Sequence, residues 1–207
     1  IYDWKFDIPT LDEIINLLEE WNLDDGDGDI IGLVGRNGKV KPGLYPELKI
    51  PGWIFEDSAI IVEDLLINAL RLHPAAGRLF FNPNHFPHDN FVDVPRMSYG
   101  PQSYVATRPF PPLVLQCFEG KSLKYMREKI VADVEHFRGV VPPSVLLFEK
   151  KDCTAELWND VDIANADGIG PDKHCLLNET GKQIMKEAKA RGVAVHPWTE
   201  RLETKFV

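Results

Sequence analysis

The chain is predicted to be an α/β protein in which parallel strands alternate with helices. Three observations carry this. Short apolar runs at 43–50, 112–118, 144–150, 166–171 and 193–199 have the length of strands. Amphipathic stretches over 57–72, 121–137 and 180–191 separate them, and strands joined by helical crossovers run parallel. Several runs also end in polar or aromatic residues, such as Glu47, Lys49 and Trp198. The carboxyl ends of parallel strands are where (β/α)8 barrels gather their sites.

In chain order, Thr10 and Glu13 have capping-box spacing, and Ile14, Ile15, Leu18 and Trp21 recur on one face, so a helix is expected over about 10–22. The acidic stretch 24–29 reads as a loop. It fails the calcium-loop template, because Ile30 stands where the sharp-turn glycine belongs and Arg36 where the bidentate Glu belongs. The glycines of 32–38 have the wrong spacing for a dinucleotide loop, and Asn37-Gly38 reads as a tight turn. Residues 73–111, rich in Pro and Asn, read as a long insertion without helical period. Five strands fall short of the eight of a closed barrel, leaving a smaller open sheet or part of a barrel.

With 207 residues, 44% hydrophobic and 27% charged, the composition is that of a globular domain. No apolar run approaches the roughly 18 residues of a membrane span. The net charge of −9 and pI near 5.1 disfavour general binding to nucleic acid, and no basic run interleaved with aromatics is present. Cys117, Cys153 and Cys175 are too widely spaced for a zinc site. One disulfide with a free thiol and three buried thiols are both open. Asn178-Glu179-Thr180 fits the N-glycosylation pattern, which matters only in a secreted protein.

The segments PTLDEI, LYPELK, LQCFEGKSLKYMREK, ADGIGPDKH and VAVHPWTER, in that order, resemble the glycerophosphodiester phosphodiesterase family, particularly its periplasmic bacterial and related secreted members. The resemblance covers most of residues 8–201 apart from the insertion. It implies a (β/α)8 barrel that hydrolyses glycerophosphodiesters to glycerol 3-phosphate and an alcohol. It also implies a divalent cation, calcium or magnesium, two histidines as acid and base, and a secreted or periplasmic location. By the match to LYPELK, Glu47 is expected to ligate the metal and Lys49 to lie near the phosphate.

The family's catalytic histidines lie in HRG and HD motifs, with metal carboxylates in an E-x-D motif between them. All three precede the position of PTLDEI, and the first histidine here is His73. The closing TD-x-P strand is absent from the C-terminal stretch. The chain is therefore expected to correspond to the middle and later part of such a barrel, with no catalytic residue assigned within it. Five strands would leave open edges, to be covered by self-association or a companion chain.

Glu47 and Lys49, at i and i+2, share one side of a strand, where a carboxylate and an ammonium suit a cation and a phosphate. The competing reading is a strand-end ion pair. Gln116 and Phe118 share a side opposite Cys117, and either line a substrate cleft or fill the interior. Trp198 is expected as a pocket wall for the glycerol or alcohol moiety. His196 shares its side and reads as scaffold. His88-Asp89 repeats the letters of the HD motif but follows the Glu47 strand, so His85 and His88 read as loop residues. Asp167 and Asp172 read as shaping a Gly-Ile-Gly turn. Glu149 either reaches the site or pairs with Lys150 or Lys151. A phosphodiesterase is the leading expectation, and an inactive relative with a binding, storage or structural role is the alternative.

Overall fold

The computed structural model describes residues 8–23, 43–81, 113–154, 157–158 and 166–198. Helix α1 (Leu11–Leu23) opens with the expected reciprocal cap. The Glu13 carboxylate accepts from the Thr10 N–H at 2.7 Å, and the Glu13 N–H donates to Thr10 Oγ1 at 3.3 Å. Ile15 and Leu18 are buried and Ile14 is half-buried, whereas Trp21, expected on the same face, is more than half exposed.

Strands β1 (Glu47–Leu48), β2 (Leu115–Cys117), β3 (Ser144–Phe148), β4 (Gly168–Pro171) and β5 (Ala194–Val195) form an all-parallel sheet in the order β1-β2-β3-β4-β5. Each strand is a trimmed version of its predicted run. Bridges Leu44–Leu113 and Asp172–Trp198 continue the pairing beyond the strands at either end. The segment Gly168–Pro171 is a strand, not a turn.

Strictly sequential order has a consequence. Right-handed crossovers that never reverse direction put their helices on one face of the sheet. On that face Leu115, Cys117, Leu146, Phe148 and Ile169 join the main core with residues of six helices. The longer four are α1, α3 (Val62–Leu72), α5 (Gly120–Ala132) and α7 (Glu179–Arg191), and two short helices described below add Ala75, Ala76, Leu79 and Phe137. The other face holds a small apolar cluster of Val114, Val145 and Leu147, with Trp198 against it. Strand β3 is buried on both faces, which explains its unbroken apolar run.

The sheet is curled around that second face. Laid flat, β1 and β5 would stand about 19 Å apart, four spacings of ~4.8 Å, with side chains pointing in parallel. Instead the Tyr45 hydroxyl and His196 Nδ1, just outside the two edge strands, share a hydrogen bond at 3.1 Å. Carried across the sheet, the pairing puts Gly192 in register with Tyr45, so His196 lies four residues further along.

Some helices depart from expectation. The one expected over 57–72 begins at Val62, behind a separate helix α2 (Pro51–Ser58) that ends at Ala59 with φ 55°. The one expected over 121–137 breaks at Asp133, whose carboxylate accepts from the His136 N–H to start α6 (Val134–Phe137). The insertion expected over 73–111 is helical where it begins. In α4 (Pro74–Leu79), Pro74 occupies the first turn and the His73 ring accepts from the Ala75 N–H. The expected loops at 24–29 and 32–38, and His85 and His88, lie outside the described residues.

Candidate functional site

A cleft of about 870 Å³ opens at the carboxyl ends of β1, β2 and β3. Each wall follows from strand parity. Leu48 packs into the helix-side core, so Glu47 and Lys49 turn to the concave face. Cys117 is likewise on the helix side, which leaves Gln116 and Phe118 on the concave one.

Glu47, Lys49 and Phe118 line the cleft. The Lys49 ammonium contacts the Glu47 carboxylate at 3.0 Å and is otherwise open to water, its side chain 77% exposed. Both readings of this pair therefore meet: it is a strand-end ion pair, and it faces a cavity. An ion pair this exposed contributes at most about 1 kcal/mol and is easily exchanged for another partner.

Phe118 is 40% exposed and packs edge-on against Trp198, the ring centroids 5.7 Å apart. Trp198 stands behind it, its indole N–H donating to the Gly170 carbonyl at 2.9 Å. It backs the wall, while Phe118 forms the surface. Gln116 is turned away from the cleft lining, and its amide donates to the Tyr45 carbonyl at 3.2 Å. It braces β1 against β2.

The cleft also gathers residues that strand parity alone does not assign. Glu119 accepts from the Gly52 N–H with both carboxylate oxygens, at 3.1 and 3.2 Å, which fastens the start of α2 to the end of β2. A Cβ on residue 52 would sit 2.6 Å from Glu119 Oε2, so any larger residue there would push the carboxylate off the Gly52 N–H. Past β3, Glu149 and Asp152 form a capping box around a short 3-10 turn, Lys150–Asp152. The turn presents Lys151 and Asp152 to the cleft, with Lys151 paired to Glu149 at 3.0 Å.

A disulfide joins Cys153, after that turn, to Cys175 in the 3-10 helix Lys173–Leu177. It fastens the loop after β3 to the loop after β4. Cys117 is the free thiol. It donates to the Leu48 carbonyl at 3.2 Å, and burial pushes its pKa up to about 11, so it stays protonated.

His196 lies on the concave face beside Tyr45 rather than in the cleft, and burial lowers its pKa and favours the neutral ring. Asp167 accepts from the Ser144 N–H and hydroxyl and pairs with Arg127, a structural role behind the sheet. Among the described residues, no three His, Cys, Asp or Glu side chains converge as a metal site. Comparison of the chain with known protein families, curated proteins and solved structures gives no match.

Proposed function

We propose that this cleft binds a glycerophosphodiester, and that the chain carries the phosphate-binding side of a phosphodiesterase built on a (β/α)8 barrel. The observation that carries the reading is the Glu47–Lys49 pair at the mouth of the sheet, facing a cleft walled by Phe118. Lys49 is free to swing from Glu47 onto a phosphate oxygen, where a charge-assisted contact replaces a solvent-screened one. Glu47 then has a carboxylate to offer a divalent cation, calcium or magnesium. One carboxylate does not make a site for a hard cation that takes six or more oxygens, so such an ion would need further ligands. Phe118, backed by Trp198, gives the glycerol or alcohol moiety a flat apolar surface.

The barrel reading draws support from the curl. A (β/α)8 barrel has shear 8 over eight strands, a stagger of about one residue per strand. Strands four apart then face each other across the interior with an offset of about four residues, the offset between Gly192 and His196. The Cys153–Cys175 disulfide suits an oxidising compartment, and with it a secreted or periplasmic protein.

Among the described residues no histidine lines the cleft, and none is assigned as acid or base. The second reading is a relative that binds the diester without cleaving it. Incubation with glycerophosphocholine and calcium, with choline release and equilibrium binding followed together, separates the two. Calcium-dependent choline release supports hydrolysis. Binding without release is what the second reading requires and leaves the chain a binding unit only, and absence of both refutes the cleft assignment.

A further inference from the structure

The cleft continues into an apolar surface that a glycerophosphodiester headgroup does not need. Ile50 lines the cleft, and it is held at φ 43° and ψ 47° immediately before α2. A β-branched residue is strained in this left-handed conformation, and such strain persists only where the surroundings impose it. Here it leaves the Ile50 side chain 57% exposed at the lip.

From Ile50 the apolar character runs on along the helix. Ile50, Trp53 and Ile54 are spaced i, i+3 and i+4 and so share one stripe. Trp53 lies about 4.5 Å further along the axis and is 58% exposed. Only Pro51 of α2 is buried, so the helix stands out from the core, fastened at its start by the Gly52–Glu119 contact. The cleft is also large for a headgroup. At roughly 30 Å³ per heavy atom, the liquid volume of water, its 870 Å³ takes on the order of thirty such atoms, about twice a glycerophosphodiester with a small alcohol.

We infer that the cleft and the Ile50–Trp53–Ile54 stripe form one site for a single-chain amphiphile, a glycerophosphodiester carrying an acyl or alkyl chain, with the phosphodiester at Lys49 and the chain along α2. This rests on the headgroup assignment above and extends it. The net charge of −9 fits a zwitterionic or neutral head better than an anionic one.

The test titrates the intact protein, by calorimetry, with glycerophosphocholine and with its hexanoyl, octanoyl and decanoyl 1-acyl derivatives, all below their micelle concentrations. Each two-carbon step is expected to tighten binding about tenfold, from the transfer of buried methylenes. Trp53→Ser is expected to reduce each step to no more than about threefold while leaving glycerophosphocholine affinity unchanged. Phe55→Ser is the control: Phe55 is 53% exposed but lies two residues from Trp53, on another face, and the steps should survive.

Binding of glycerophosphocholine with no gain from the chain would overturn the inference and leave the headgroup assignment standing. No binding by any ligand would overturn both. Equal loss of the steps in Trp53→Ser and Phe55→Ser would reduce α2 to a generally adhesive surface. Attachment to phosphatidylcholine vesicles without chain-length dependence for the soluble ligands would make it a bilayer contact. Loss of a dimer on Trp53→Ser would make it a self-association face. Each of these last three outcomes also overturns the inference.

Discussion

Gly170 should be intolerant of even a single added carbon. It lies on the concave side of β4, where a Cβ would sit 2.4 Å from Leu147 Cδ2 and 3.3 Å from both the His196 carbonyl oxygen and Val145 Cγ1. Leu147 is the only one of the three contacts at the end of a flexible side chain. It is nevertheless 5% exposed, so its rotation is confined by Val114, Val145 and Trp198. An off-rotamer Leu147 costs about 0.5–1.5 kcal/mol. Overpacking of a closed core costs about 1–3 kcal/mol. Against this, Gly→Ala in an extended backbone gains about 0.4–1 kcal/mol by restricting the unfolded chain. Gly170→Ala should therefore lose about 1–2 kcal/mol, read as a lower urea midpoint at unchanged m-value. The melting temperature should fall by about 2–4 °C per kcal/mol. Adding Leu147→Ala should open room for the new methyl group, making the double variant about 1 kcal/mol better than the sum of the singles. A neutral or stabilising Gly170→Ala, or strict additivity, would refute the close packing of β3 against β4 on the concave face.

The further predictions concern sulfur and pH. The Cys153–Cys175 bridge spans 22 residues, and removing its constraint on the unfolded chain by Cys153→Ser/Cys175→Ser should cost about 3 kcal/mol. The same pairing fixes a thiol count. A thiol-reactive chromogen at neutral pH should find none in the native protein, one (Cys117) in denaturant and three after reduction. Because burial lowers the His196 pKa in the fold, the unfolded chain binds that proton first on acidification. Stability should begin to fall as pH drops below about 6.5 and keep falling to the folded pKa, and His196→Asn should flatten that limb. Asp133 and Asp172 are held below the usual carboxylate range, each by hydrogen bonds from the histidine beyond it. Their contribution should vanish only below about pH 4, so Asp172→Asn should alter the acid limb and leave the His196 limb in place.

Much of the scaffold was legible because it rests on local signals. Thr10 and Glu13 announce α1 through their spacing, and the apolar runs locate all five strands. Parity correctly separated Cys117 from Gln116 and Phe118, because a strand leaves a side chain only two faces. Helix α2 was missed for a physical reason: it buries only Pro51, so no apolar period marks it. The available signal was Pro51 itself, at a first-turn position. The break at Ala59 and the start of α6 at Asp133 depend on single backbone angles and one cap, which periodicity averages away. Glu119 reaches the cleft through a tertiary link, the Gly52 contact, which nothing local in its sequence specifies; Lys151 and Asp152 sit on a turn whose capping box is local, but whose place at the cleft is tied to the disulfide. Trp198 and Gln116 lie on the expected face but outside the residues that line the cleft. The indole is held back by the Gly170 carbonyl, and the amide by that of Tyr45.

Lys49, drawn from its pairing with Glu47, is proposed to hold the phosphate of a glycerophosphodiester in the cleft. The most direct measurement is calorimetric titration of glycerophosphocholine, in calcium-containing buffer, into the wild-type protein and Lys49→Met. The substitution removes the charge but keeps an unbranched apolar side chain, and Lys49 is too exposed for the fold to depend on it. Loss of a charge-assisted hydrogen bond of about 1.5–3 kcal/mol predicts roughly ten- to a hundredfold weaker binding with an unchanged melting temperature. Equal affinity in the two proteins would contradict the account and place the phosphate elsewhere.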